Sequence, residues 1–330
     1  MYYRYFYLNG NYVVSCTNFG KTREYTTLRI GEDFEPDFPD SIDLKITNKC
    51  SHGCSFCHES SGPLGKSFNL ENTKKMLSQL PGGVEIAIGG GNIFDCFDDF
   101  FGLLEFCKSK DFFARATVNI LDLLNFKKQE LILRCFGADE NHFFSSKKDN
   151  LLGALGISVS RFNEIGVFEE NKIHNFNYYT HGNFVFHIIL GIYPIEEFMD
   201  LLDYCLTNSY GILILGLKQF GRAANIGEPK DIEKWKQVVS KTIYESRISS
   251  SKLVLGLDNL AIEQLDIKSK LTEREWKKLY LGNEFSHSMY IDAVEETFAP
   301  TSRSPLEERV KWCDTGSVVE YFKNNHKPWN

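Results

Sequence analysis

Six short β-rich runs recur along this chain at a regular interval. SIDLKIT, VEIAIGG, ARATVNI, LGISVS, FVFHIILG and GILILGL end near residues 47, 88, 120, 159, 190 and 217. Most of the intervals hold a helical segment, such as NLENTKKMLSQL, FDDFFGLLEFCKSK and PIEEFMDLLDYCLTN. Strands spaced roughly 30–40 residues apart, with helices between them, build a parallel sheet, because a parallel connection must carry the chain back to its starting end. Six such units predict an α/β fold, a partial (β/α)6 TIM-like barrel. A doubly wound open sheet has the same local signature and stays as the structural alternative. With 330 residues, 42% of them hydrophobic and 25% charged, the chain can bury one large core as a globular protein. Its 27 phenylalanines suit a deep core or an aromatic-lined cavity.

The flanks read differently. YRYFYLNGNYVVSC alternates on both sides of Asn9-Gly10, a hairpin signal, and the acidic, proline-broken GEDFEPDFPD reads as a linker. Residues 1–40 are therefore expected to form an N-terminal β-hairpin and linker, residues 41–220 the barrel, and residues 221–330 a C-terminal capping region. That last region holds a helix at DIEKWKQVVSKTIYES, a seventh strand at KLVLGL, a hairpin at MYIDAVEETFAP and a helical end. The net charge of −7 and the absence of a long basic run argue against nucleic acid as the main partner. No apolar segment behind a basic start marks a signal peptide, and the richest apolar run, FVFHIILGIY, is too short for a bilayer. A cytoplasmic protein with no membrane partner is expected. Nine cysteines in a reducing compartment are not a disulfide framework, and Cys16, Cys96, Cys107, Cys135 and Cys205 read as small buried thiols.

Parallel β/α folds bind ligands at the carboxyl ends of their strands. The cysteine-rich stretch follows the first run here, and the second ends in Gly89, Gly90, Gly91 and Asn92. The third carries Thr117 and Asn119, and the fourth Ser158 and Ser160. The fifth ends at Gly191, and the sixth leads to Lys218, Gln219 and Arg222. Any one of these is an ordinary strand end. Their coincidence over six units points to one ligand-binding rim.

The stretch TNKCSHGCSFCHES places Cys50, Cys54 and Cys57 within eight residues. Structural zinc needs four ligands, usually in two separated pairs; only one C-x-x-C is present, and His52 or His58 would have to complete the set. A c-type haem fits Cys54-Ser55-Phe56-Cys57-His58, and a redox dithiol fits the same pair, but both leave Cys50 unused. An iron–sulfur cluster uses all three thiols. A [4Fe–4S] cube held by three thiolates keeps one iron open for a ligand, and Phe56 would give it an apolar lid.

C-x-x-x-C-x-aromatic-C after the first strand of a β/α barrel resembles the hallmark of radical S-adenosylmethionine (radical SAM) enzymes. The resemblance covers about residues 41–220. It implies that Cys50, Cys54 and Cys57 hold a [4Fe–4S] cluster and that the amino and carboxylate groups of SAM chelate the open iron. Reductive cleavage would then give a 5′-deoxyadenosyl radical that takes a hydrogen atom from the substrate. An electron donor such as flavodoxin or ferredoxin is implied with it. IAIGGGNIF stands where family members carry a GGE-like segment, with Asn92 in place of the acidic residue that meets the SAM amino group. GISVS and IILGIYP resemble the ribose, carboxylate and adenine contacts. Phe56, Gly89, Gly90, Gly91, Asn92, Asn119, Ser158, Ser160 and Gly191 are therefore the expected cofactor contacts.

SMYIDAVEETFAPTS resembles the hairpin of the SPASM or twitch extension of peptide-modifying members. A cysteine usually follows the Ala-Pro there; here Thr301 and Ser302 stand in its place, and Cys313 alone cannot hold a second cluster. An unrelated capping hairpin is the competing reading. Expected at the barrel mouth are Lys218, Arg222, Asp258 and Tyr290, with Gln219, Asn259 and Asp292 beside them. Lys218 and Arg222 would pair with an anionic substrate or with the SAM carboxylate. A peptide or protein substrate is favoured by the hairpin over a nucleoside or nucleic acid, and the non-enzyme alternative is a haem or redox module.

Overall fold

The computed structural model describes residues 4–17, 22–138, 150–170, 176, 180, 182–248 and 254–329. Three strands open the chain, β1 (Arg4–Asn9), β2 (Tyr12–Thr17) and β3 (Thr22–Thr27), paired antiparallel in that order. The expected turn at Asn9-Gly10 is present. Gly10 has φ +54°, and a Cβ there would lie 1.7 Å from the Glu35 carbonyl oxygen, so only glycine fits.

The main sheet follows the predicted rhythm. Strands β4 (Ser41–Thr47), β5 (Glu85–Gly90), β6 (Phe113–Asn119), β7 (Ala154–Ser158), β8 (Phe184–Ile189), β9 (Gly211–Leu215) and β10 (Val254–Leu257) are parallel, each beside its sequence neighbour. The first two residues of KLVLGL lie outside the described part. The expected C-terminal hairpin is β11 (Ser288–Asp292) with β12 (Thr297–Ala299), and β13 (Val310–Lys311) pairs beyond it. β11 runs parallel to β4, with Tyr290 opposite Asp43 and Asp292 opposite Lys45. The hairpin therefore extends the main sheet past its first strand, and the loop after it reaches the rim.

Alternation along the strands separates two faces. On β6, Ala114, Ala116 and Val118 are buried, while Phe113, Arg115, Thr117 and Asn119 on the other face are partly open. The buried set joins Ile42, Leu44 and Ile46 of β4 in one core with the helices. Helix Phe97–Ser109 contributes Phe100, Leu103, Leu104 and Cys107, and helix Ile195–Asn208 contributes Phe198, Leu201, Leu202 and Cys205. Spacings of three and four put each set on one helical face. Cys16, Cys107, Cys135 and Cys205 are buried as expected, and Cys96 is half-buried. Among the described residues, no helix is long and apolar enough to cross a membrane.

The N-terminal sheet packs against the amino ends of the parallel strands, opposite the cysteine rim. Arg23 donates to the Asp40 carbonyl at 2.9 Å and the Gly83 carbonyl at 3.1 Å, and its guanidinium lies 3.5 Å from the Glu85 carboxylate. Asp40 accepts from Tyr7 at 2.8 Å, Tyr12 at 2.6 Å and Asn9 at 2.9 Å. The end of the expected linker is thus an anchor point, with Asp40 fully buried.

Two histidines couple the fold to pH. His187 sits on β8 over Gly156, where a Cβ would come within 2.1 Å of its ring. His287 lies against Trp329, with ring centroids 4.4 Å apart. Burial lowers the pKa of each to about 4. The folded chain keeps both neutral where the unfolded chain takes up protons, so they cost stability as pH falls from about 6.5 towards 4. The urea midpoint of the metal-free protein is expected to fall across that window. A midpoint that stays flat between pH 6.5 and 4.5 would contradict this.

Candidate active site

The cysteine loop leaves the carboxyl end of β4 and is pinned at its neck. Asn48 N–H donates to the Lys66 carbonyl at 2.8 Å, Cys50 N–H to the Gly62 carbonyl at 3.0 Å, and Gly62 N–H to the Asn48 carbonyl at 3.0 Å. Inside the neck, Cys57 N–H turns back onto the Cys54 carbonyl at 3.2 Å, and Gly53 takes φ +66°. All three thiols are half-buried. Burial, followed by the neighbouring thiols, raises the pKa of Cys54; burial is also the main cause of the rise at Cys50, where Cys57 adds to it. The thiols are close enough to feel one another. Yet among the described residues no three His, Cys, Asp or Glu side chains converge as a single ion would require. Zinc holds its sulfurs about 2.3 Å from one centre, whereas a cluster of several irons spreads them around a wider body. The donor set is the better guide: three thiols are one short of the four ligands structural zinc takes, and His52 is turned to Asp122 at 2.7 Å, so the loop suits a cluster held by three thiolates.

The carboxyl end of β5 packs on the start of that loop. A Cβ on Gly90, at φ +119°, would lie 2.5 Å from the Thr47 carbonyl oxygen, and one on Gly91 would lie 2.2 Å from the Lys49 carbonyl oxygen. These two glycines let one backbone approach the other; Gly91 N–H donates to Thr47 at 2.6 Å and Asn92 N–H to Lys49 at 2.8 Å. Gly89 differs. A Cβ there would meet nothing within 4 Å, so its face is open on the inner side of the rim.

Asn92 is buried; its Oδ1 accepts from Phe94 N–H at 3.1 Å and its Nδ2 donates to Asp122 at 3.1 Å. Asp122, just past β6, also receives His52 Nε2 at 2.7 Å and an ion pair from Lys128. Burial alone would raise its carboxyl, but the hydrogen bonds from His52 and Lys128 hold it below the usual carboxylate range. The sequence reading passed over Asp122, although it is the one charge in the apolar run NILDLLNF.

The other expected residues have these places. Asn119 caps the helical turn after β6 by accepting from Leu121 N–H at 2.9 Å. Ser158 closes β7 opposite Asn119 and His187, and Ser160 N–H donates to Glu164 at 2.8 Å. Gly191, at φ +73°, packs on Pro229 and Lys230, and Phe56 is half-buried. Arg222 holds the cysteine loop: its Nε donates to the Cys54 carbonyl and its Nη1 to the Ser61 carbonyl, both at 2.8 Å, and its N–H reaches Cys57 at 3.0 Å. Lys218 reaches across to Ser302 at 2.8 Å, the Ser302 that stands after Ala-Pro. Asp258 caps helix Asn259–Gln264 through Ala261 N–H at 2.7 Å and also accepts from Gly216 N–H at 2.9 Å. Gln219 is exposed, and Asn259 donates to the Gly282 carbonyl at 3.3 Å.

Tyr290 and Asp292 belong to a buried charge network that ties the hairpin to the first parallel strand. Lys45 of β4 donates to Glu59 at 2.6 Å and to Asp292 at 3.0 Å. Arg309 donates to Asp292 at 2.9 Å and lies over the Tyr290 ring, whose hydroxyl donates to Glu59 at 3.1 Å. Burial would raise Glu59, yet Lys45 and the other nearby cations hold its carboxyl below the usual range.

Fold and rim together define an open β/α barrel with a three-thiol loop at the carboxyl end of its strands. No family model and no curated protein sequence matches the chain. Solved structures do. SuiB of Streptococcus suis bound to S-adenosylmethionine is 14% identical, with 87% of this chain and 66% of that one covered and a TM-score of 0.63. SuiB bound to precursor peptide SuiA gives 14%, 88%, 65% and 0.64. Native anSMEcpe with bound AdoMet and Cp18Cys peptide gives 12%, 85%, 78% and 0.52. The chain spans about two thirds of the length of those two SuiB chains. It shares their fold. The likeness to radical SAM proteins first carried by the cysteine motif is thus matched by a fold-level likeness to two proteins solved with S-adenosylmethionine.

Proposed function

We propose that this chain is a radical SAM enzyme that acts on a peptide or protein. The observation that carries the reading is the three-thiol loop, pinned at its neck on the carboxyl end of β4 and packed against the glycine turn of β5. Cys50, Cys54 and Cys57 would hold the [4Fe–4S] cluster, with Phe56 shielding it. When reduced and loaded with SAM, such a cluster supplies a 5′-deoxyadenosyl radical that abstracts a hydrogen atom. The open face at Gly89 is the cradle for SAM, with Asn119, Ser158 and Ser160 along the same rim. Asn92 Oδ1 accepts one hydrogen bond and has a second lone pair for the SAM ammonium. Arg222 is engaged by loop carbonyls, which leaves Lys218 as the cation for an anionic group on SAM or substrate. The peptide preference is supported by the SPASM-like hairpin and by the peptide-bound states of SuiB and anSMEcpe. A flavodoxin or ferredoxin would supply the electron.

The reading has a binding test. Asn92→Ala is expected to weaken SAM binding by about tenfold or more, the worth of a hydrogen bond to a charged group, while iron content is kept. Calorimetric titration of the reconstituted protein measures it. Equal SAM affinity in wild type and variant would reduce Asn92 to a turn residue.

A further inference from the structure

We propose that Asp122 is the positioning residue that sets the cysteine loop in register with the Gly89–Asn92 turn; this rests on reading that loop as the cluster-binding loop. The geometry brings three other chain segments to one carboxylate. His52 is the middle residue between Cys50 and Cys54, and its Nε2 lies 2.7 Å from Asp122 Oδ2. Asn92, at the end of the glycine turn, donates to the same oxygen at 3.1 Å. Lys128, from the first turn of helix Phe126–Cys135, pairs with Oδ1.

Asp122 is only 4% exposed, and three donors already occupy its two oxygens. A carboxylate so engaged is poorly placed to act as a base or a ligand, and well placed as a clamp. The other half of the loop is held by Arg222 through the Cys54, Cys57 and Ser61 carbonyls. Asp122 therefore supplies, through His52, a hold on the Cys50–Cys54 half. Because Asn92 shares the carboxylate, the clamp also joins that half to the turn facing SAM. A loop held on both sides keeps its thiolates preorganised around the cluster, and groups around a cluster tune its potential.

The test uses the full chain as wild type, Asp122→Ala, Asp122→Asn, His52→Ala and the double variant Asp122→Ala/His52→Ala. Amide hydrogen exchange across residues 49–57 is read on metal-free protein. The potential and paramagnetic resonance signal are read on the reduced, reconstituted protein. Asp122→Ala and His52→Ala are each expected to speed exchange in the loop by about tenfold or more, in line with one lost charged hydrogen bond. Both are also expected to move the resonance signal and potential in the same direction. The double variant should match Asp122→Ala, because the His52 contact is already lost in that single variant. Asp122→Asn, which keeps an acceptor oxygen, should fall between Asp122→Ala and wild type.

Wild-type exchange and an unmoved signal in Asp122→Ala would overturn the proposal. So would a double variant whose effects multiply, since Asp122 would then act through Lys128 or the core. Should Asp122→Ala fail to fold, Asp122→Asn and His52→Ala, at a partly exposed side chain, carry the same test. If wild type takes up no cluster, the functional reading fails, and the exchange measurement alone decides the clamp.

Discussion

Joint replacement of Cys50, Cys54 and Cys57 by alanine is expected to cut bound iron from about four per chain to background after anaerobic reconstitution, with sulfide falling in parallel. Thiolates are the strong ligands of such a cluster, and the two loop histidines are poor substitutes: His52 is bound to Asp122 at 2.7 Å and His58 lies 3.5 Å from Glu59. Cys313→Ala should keep the full complement. That thiol is exposed and donates to Asp314 at 3.5 Å. Iron and sulfide assays on the two variants decide the matter. About eight irons in wild type would mean that the C-terminal region holds metal after all.

The second large effect is on stability. Lys45→Met is expected to destabilise the fold by about 3–5 kcal/mol, the cost of leaving buried charge uncompensated. Lys45 stands between Glu59 and the fully buried Asp292; without it, Arg309 remains on Asp292 and the His58 ring lies 3.5 Å from Glu59. Because Glu59 sits in the cysteine loop and Asp292 in the hairpin, the variant should also loosen the seam between β4 and β11. The pH dependence has a sign. Glu59 titrates below its ordinary range, so its contribution is present above about pH 4 and lost as pH falls through the depressed value. Denaturant titration of Lys45→Met and wild type at neutral pH measures the effect. A difference under about 1 kcal/mol would place the network among pairs worth little.

Much of this was readable before any coordinates. The βα rhythm is a local signal repeated many times, so β4 to β9 and the helices between them could be located, and Asn9-Gly10 named its own turn. The parallel pairing of β11 with β4 could not, because no local pattern reports a contact between residues about 250 apart. The third N-terminal strand, TREYTT, is as long as β1 and β2 but too polar to stand out, and it is held by Arg23 and its distant partners. In the site, three cysteines and three glycines were legible because their chemistry is rare and their spacing tight. Asp122, Glu59 and Lys45 were not, since each draws its meaning from partners on other elements. Lys45 did leave a trace, a charge inside the otherwise apolar end of SIDLKIT. Arg222, Asp258 and Tyr290 stood out as rim residues, but that they hold the loop, cap a helix and join the charge network is visible only in three dimensions.

The most direct measurement of the central claim is SAM cleavage by the reconstituted, reduced protein. With dithionite or reduced flavodoxin and no added peptide, slow release of 5′-deoxyadenosine is expected, detected by liquid chromatography and mass spectrometry. It should vanish in the Cys50, Cys54 and Cys57 triple alanine variant. Recovery of haem or zinc alone from native protein, with no 5′-deoxyadenosine above that variant's background, would contradict the account.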